Sequence, residues 1–166
     1  MTSAPRDRPA GRPSQALAIY LRNHESAASA GADLFGRMSR SQAGRTWGRT
    51  LTEVTEDVVQ DLRTLRGLLR ELGVRPAVLS TLALRAGERV GRLKPNGHLV
   101  TRAPLSDLVE VEAGLDAVHA KASGWRALRT VGDVDLPVDL DALVARADDQ
   151  TERLRAVHLA VAAAVL

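Results

Sequence analysis

Four long stretches of the sequence repeat apolar residues at steps of three and four, which is the period of an amphipathic α-helix. The predicted helices cover residues 14–38, 45–72, 104–131 and 139–166. Aromatic residues make up only 2% of the chain, so its core must be built mainly from Ala, Leu and Val. That mixture suits closely packed helices better than sheets. The sequence therefore predicts an all-α protein whose long helices form a four-helix bundle.

Capping residues lie where these helices should begin and end. Ser14 and Asp139 are predicted N-caps, because their short polar side chains can accept a hydrogen bond from the first turn. Pro104 stands where a helix-opening proline belongs. Gly73 follows the second long helix and is a predicted left-handed C-cap. These residues support the predicted boundaries.

The connections restrict how the helices can be arranged. Residues 39–44 and 132–138 are short connections, and short connections produce antiparallel neighbours. The crossover 73–104, which includes a short predicted helix at 76–91, is long enough to return along the bundle. The second and third long helices would then run in the same direction. A plain up-down-up-down bundle is the alternative.

The sequence also limits domain organisation, location and the kinds of site. Residues 1–13 are proline-rich and basic, which predicts a disordered tail before a single domain at 14–166. No stretch reaches the roughly 18 apolar residues of a membrane helix, and the tail does not resemble a signal peptide. We therefore expect a cytoplasmic protein without a membrane partner. The absence of cysteine excludes disulfides, iron–sulfur clusters and thiolate zinc sites.

In this architecture the chain resembles the ferritin-like superfamily over residues 15–166. It is similar to actinobacterial ferritin-like proteins in three strings, namely Tyr20-Leu21-Arg22-Asn23-His24, Val90-Gly91-Arg92-Leu93-Lys94 and Pro104-Leu105-Ser106. The resemblance implies a ferritin-like bundle with a long crossover, and it implies kinship without an activity. Ferritin-like di-iron proteins carry Glu on two helices and Glu-x-x-His on the other two. This sequence contains no Glu-x-x-His, so the usual di-iron centre is not expected.

Several polar residues fall on the predicted apolar faces: His24, Asp61, Glu112, His119, Gln150 and His158. In the crossover topology Glu112 and His158 would share one height, and the other four residues would share another. Mutual hydrogen bonding would satisfy such buried groups. The alternative is a divalent metal site with His24, Asp61 and His119 as ligands, and with Glu112 and His158 as further candidates. Two His and one carboxylate are typical of catalytic zinc and non-haem iron sites.

Two surface features suggest partners. A basic stretch in the crossover is a candidate anion site, formed by Arg85, Arg89, Arg92, Lys94 and Arg102. No aromatic residue interleaves with it and Glu88 interrupts it, so nucleic acid is not the favoured partner. Leu159 and Ala163 point away from the predicted core, which favours a homodimer.

No nucleophilic constellation is visible in the sequence, so the favoured function is non-enzymatic. We expect a structural or interaction protein whose ferritin-like bundle has lost the di-iron ligands. One alternative is a metal-binding protein that uses the inward His, Asp and Glu residues. A second alternative is an anion or nucleic-acid binder that uses the crossover arginines.

Overall fold

A computed structural model describes residues 13–75, 103–132 and 136–166 of the chain. These ranges contain four α-helices and no strand, which confirms the prediction of an all-α protein. The helices are α1 (Gln15–Ser41), α2 (Gly48–Glu71), α3 (Pro104–Leu128) and α4 (Leu140–Val165). None of these helices is both long enough and apolar enough to cross a membrane. The predicted short helix 76–91 lies outside the described residues.

The helix ends follow the local chemistry of the sequence. The Ser14 hydroxyl accepts a hydrogen bond from the Leu17 amide at 3.1 Å, and the Asp139 carboxylate accepts one from the Ala142 amide at 2.9 Å. Gly73 has a φ of 64°, in the left-handed region that glycine adopts without a steric penalty. The predicted caps at these three positions are confirmed.

Each helix packs against two others, and all four contacts are antiparallel. α1 lies against α2 and α3, and α4 lies against the same two helices. Between α1 and α3, Gly124 approaches His24 while Gly31 approaches Ala117. Between α2 and α4, Asp61 bonds to Arg146 while Asp57 bonds to Arg153. Since α2 and α3 are both antiparallel to α1, they run in the same direction and occupy opposite corners of the bundle.

The apolar core divides into two clusters along the bundle axis. The first joins the C-terminal half of α1 to the N-terminal half of α2, and includes Phe35, Met38 and Leu51. The second lies around the other end of these helices and includes Leu21 and Leu69. Polar residues from the middle of the helices lie between the two clusters, and this region holds the candidate site.

The inward face of α3 differs from the predicted one. Trp125 and Leu128 are both buried, whereas Leu105 is 53% exposed. The physical reason is that the Ala, Val and Leu residues of α3 are distributed over all sides of the helix, so their periodicity does not select one face. Contact with α1 selects it instead, at Gly114 and Gly124, where α3 carries no side chain.

Candidate functional site

A buried carboxylate lies at the centre of the bundle. Asp61 of α2 is only 2% exposed. Its Oδ1 atom accepts from the Arg146 guanidinium, and its Oδ2 atom accepts from Lys121 Nζ at 2.5 Å and from Gln150 Nε2 at 3.2 Å. A buried carboxylate is tolerated only when it is paired in this way. Asp61 therefore connects α2 to both α3 and α4.

Lys121 is the most unusual ionisable group among the polar residues around Asp61. Its side chain is 12% exposed, and its Nζ atom donates to Gln150 Oε1 as well as to Asp61. Burial lowers the pKa of Lys121, and the charge of Arg146 acts in the same direction. The charges of Asp61 and Asp57 act in the opposite direction without cancelling the effect of burial. Lys121 therefore loses its proton more readily than a surface lysine does.

A cavity of about 120 Å³ lies beside Asp61 and Lys121. The described residues that line it all belong to α1, α2 and α3, and both Asp61 and Lys121 are among them. The remaining wall is mainly apolar and includes Leu21, Phe35, Val58, Leu62, Leu65 and Val118. An apolar cavity of about 150 Å³ accommodates benzene. The cavity here is somewhat smaller, so a single small ring is the largest molecule that suits it.

Small residues on the facing sides of α1 and α3 create the cavity: Ala27, Ala28 and Gly31 on α1, and Ala117, Ala120 and Gly124 on α3. Ala27 and Ala120 are exposed as well as lining the cavity. The mouth of the cavity therefore lies between α1 and α3.

Two nitrogen-bearing rings line the cavity. Trp125 is 3% exposed, and its Nε1 atom has no hydrogen-bond acceptor within the described ranges. The His24 ring lies 4.4 Å from the Tyr20 ring, centroid to centroid, and rests against Gly124. Burial lowers the pKa of His24, so the ring is neutral at neutral pH. An unsatisfied buried N–H costs about 1–3 kcal/mol. A ligand with an acceptor group would satisfy Trp125.

The structure brings together only some of the predicted site residues. His24 and Asp61 line the same cavity, and Gln150 contacts Asp61 as expected for one polar layer. His119 is exposed, so its predicted inward position is wrong. The rotation of α3 explains this error, because it turns His119 outward and brings Lys121 inward.

Glu112 and His158 form the predicted pair, with Oε1 and Nε2 3.2 Å apart. The Glu112 side chain is 53% exposed, however, so its predicted inward position is wrong for the same reason as that of His119. Within the part of the chain that the structure describes, no three His, Asp or Glu side chains lie close enough to hold a metal ion. The five predicted ligands are thus not assembled into one centre.

Sequence reasoning missed Lys121, Arg146 and Trp125. One signal was available for the first of them. The chain has 23 basic residues other than histidine, and all but Lys94 and Lys121 are arginine. Lysine can lose its proton when buried and arginine cannot, so the two lysines were candidates for a buried amine.

The remaining predicted surfaces are only partly described. The anion-site candidates Arg85, Arg89, Arg92, Lys94 and Arg102 lie outside the described residues. Leu159 is exposed, as predicted, and the homodimer stays a prediction. Comparison of the chain with protein-family models, with curated proteins and with solved structures finds no match.

Proposed function

We propose that the protein is a non-enzymatic binding protein that holds a small, mostly apolar molecule in the cavity between α1, α2 and α3. The observation that carries this proposal is Trp125, which lines the cavity and whose buried N–H has no acceptor among the described residues. The apolar wall would stabilise the ligand by contact, and Trp125 would select a ligand with an acceptor group. In this proposal the scaffold is a ferritin-like bundle without di-iron ligands, supported by the parallel directions of α2 and α3.

The size and polarity of the cavity define the probes. Toluene tests apolar binding alone, and phenol adds an oxygen that can accept from Trp125 Nε1. Titration of the full chain with each probe, followed by calorimetry and by the thermal midpoint, measures both affinities. A ligand that binds only the folded state raises the midpoint in proportion to its concentration over Kd. Failure of both probes to bind would overturn the proposal.

Two substitutions locate the binding site. Ala28→Leu places a larger side chain in the cavity and should abolish binding of both probes. The matched control is Ala156→Leu, which makes the same change at an exposed position of α4 and should leave both affinities unchanged. Equal binding by the two variants would place the probes elsewhere on the protein.

Trp125→Phe tests the polar contact. This variant removes the N–H and retains an apolar ring, so toluene binding should persist while the affinity ratio of phenol to toluene falls. One hydrogen bond contributes about 0.5–1.5 kcal/mol, which corresponds to a fall in this ratio of about two- to tenfold. An unchanged ratio would show that Trp125 does not contact the ligand. The metal- and anion-binding alternatives stay predictions.

A further inference from the structure

Lys121 is the one amine among the described residues that line the cavity. Its Nζ atom donates to Asp61 and to Gln150, which leaves one of the three ammonium N–H bonds without a protein acceptor in the described structure. Trp125 lies four residues further along α3, so its side chain and that of Lys121 lie on adjacent turns of one face. An amine and an unsatisfied donor therefore share one wall of an apolar cavity.

We propose that Lys121 forms a reversible imine with an aldehyde or ketone bound in the cavity. The inference rests on the proposed function, because the carbonyl compound must first occupy the cavity. A carbonyl oxygen is also an acceptor, and Trp125 Nε1 has none among the residues that the structure describes. The carbonyl oxygen would thus accept a hydrogen bond from Trp125 Nε1, and the carbonyl carbon would be attacked by Lys121 Nζ.

The chemistry needs no oxidant, reductant or metal. The Lys121 ammonium first gives one proton to the Asp61 carboxylate, which frees the nitrogen lone pair to attack the carbonyl carbon. A C–N bond forms, and a nitrogen proton moves to the oxygen to give a carbinolamine. Asp61 then returns its proton to the hydroxyl, which leaves as water while the C=N bond forms. The net change converts an ammonium and a carbonyl into a protonated imine and one water molecule.

The surroundings of Lys121 favour this reaction over that of an exposed lysine. Burial lowers the pKa of the amine, so more of it is unprotonated at neutral pH. Asp61 lies within hydrogen-bond distance to accept and return the proton. Arg146 bonds to the other oxygen of Asp61 and keeps the carboxylate in place through the sequence.

Reductive trapping tests the proposal. The full chain is incubated at neutral pH with benzaldehyde, a ring-sized aldehyde, and with sodium cyanoborohydride, which reduces the imine to a stable benzylamine. Mass spectrometry of the intact protein and of its peptides then locates the benzyl group. We expect one benzyl group per chain on Lys121 before Lys94 or the α-amino group is modified. Saturating toluene should slow modification of Lys121 and leave that of Lys94 unchanged.

Lys121→Arg is the matched variant, because it retains the positive charge beside Asp61 and removes the nucleophile. It should lose the cavity adduct, while Lys94 and the α-amino group are still modified as in the wild type. If toluene or phenol binds the wild-type protein but benzyl groups appear only on Lys94 and the α-amino group, the imine is overturned and the proposed function stands. If neither probe binds, both proposals fail.

Discussion

Lys121 and Asp61 form an ion pair across the diagonal of the bundle, with Nζ 2.5 Å from Oδ2. The two residues belong to α3 and α2, which occupy opposite corners and run in the same direction. The pair lies between the two apolar clusters and forms part of the cavity wall. One contact therefore links two distant helices and also places a charged group beside the apolar space.

Asp61→Ala should destabilise the protein by about 3–5 kcal/mol, because it leaves Lys121 and Arg146 without their shared counter-charge. Lys121→Met should cost less, since Asp61 would still accept from Arg146 and Gln150. Urea unfolding of the two variants measures both changes in the free energy of unfolding.

A double variant serves as the control for this prediction. Asp61→Leu combined with Lys121→Met replaces the pair by apolar side chains and leaves only Arg146, which is partly exposed and can reach water. The double variant should be more stable than Asp61→Ala alone. Equal costs for Asp61→Ala and Lys121→Met would contradict the central role assigned to the carboxylate.

Gly124→Ala should destabilise the bundle by about 1–3 kcal/mol, the usual range for overpacking. An added Cβ would lie 2.9 Å from Cε1 and 3.0 Å from Nδ1 of His24, so the His24 ring or α1 would have to move. The matched control is Gly67→Ala, also in a helix, where the nearest atom is the flexible end of Arg70 at 3.9 Å. That control should gain about 0.5–1 kcal/mol. Thermal unfolding measures the stability of both variants relative to the wild type. An increase in stability in both would disprove the close approach of α1 and α3.

Gln42→Ala should cost about 1–3 kcal/mol, because it leaves a buried donor unsatisfied. Gln42 is fully buried after α1, and its Oε1 atom accepts from Trp47 Nε1 at 2.6 Å. The same substitution in a Trp47→Phe background should cost less, since the donor is then absent. A double-mutant cycle by urea unfolding isolates this coupling. A coupling energy of zero would show that the hydrogen bond does not stabilise the turn.

The helices could be predicted from the sequence because their ends depend on local chemistry. Ser14 and Asp139 cap a first turn only three residues away, and Gly73 adopts a conformation that other residues avoid. The length of the crossover permits the observed direction of α3, and that length does not depend on side-chain detail. The helix ends and directions do not establish a ferritin-like relationship, which stays a proposal.

The site was harder to predict, because it depends on how helices are rotated and on how far long side chains reach. A helical wheel describes where a side chain leaves the backbone, whereas Lys121 and Arg146 carry their charges across the bundle to Asp61. Asp61 and Gln150 leave the backbone on the apolar faces of α2 and α4, so their inward positions were predicted. His119 was placed wrongly because α3 is apolar on all sides.

The stability of the protein should depend on pH through His24. Burial lowers the pKa of His24 below its ordinary value of 6.5, so the folded state binds this proton less readily than the unfolded state does. Protonation therefore favours unfolding: this contribution to stability is constant above pH 6.5 and is lost as the pH falls from there towards the folded pKa. His24→Gln removes the titrating group.

Urea unfolding of the wild type and of His24→Gln, from about pH 8 to about pH 5, tests this dependence across the range in which histidine titrates. The free energy of unfolding of the wild type should fall relative to that of the variant at the acidic end. The His158–Glu112 pair is present in both proteins, so its contribution cancels in the difference. Asp61 and Lys121, which line the same cavity, are also common to both. Parallel stability curves would show that His24 is solvated rather than held as a neutral ring against Gly124.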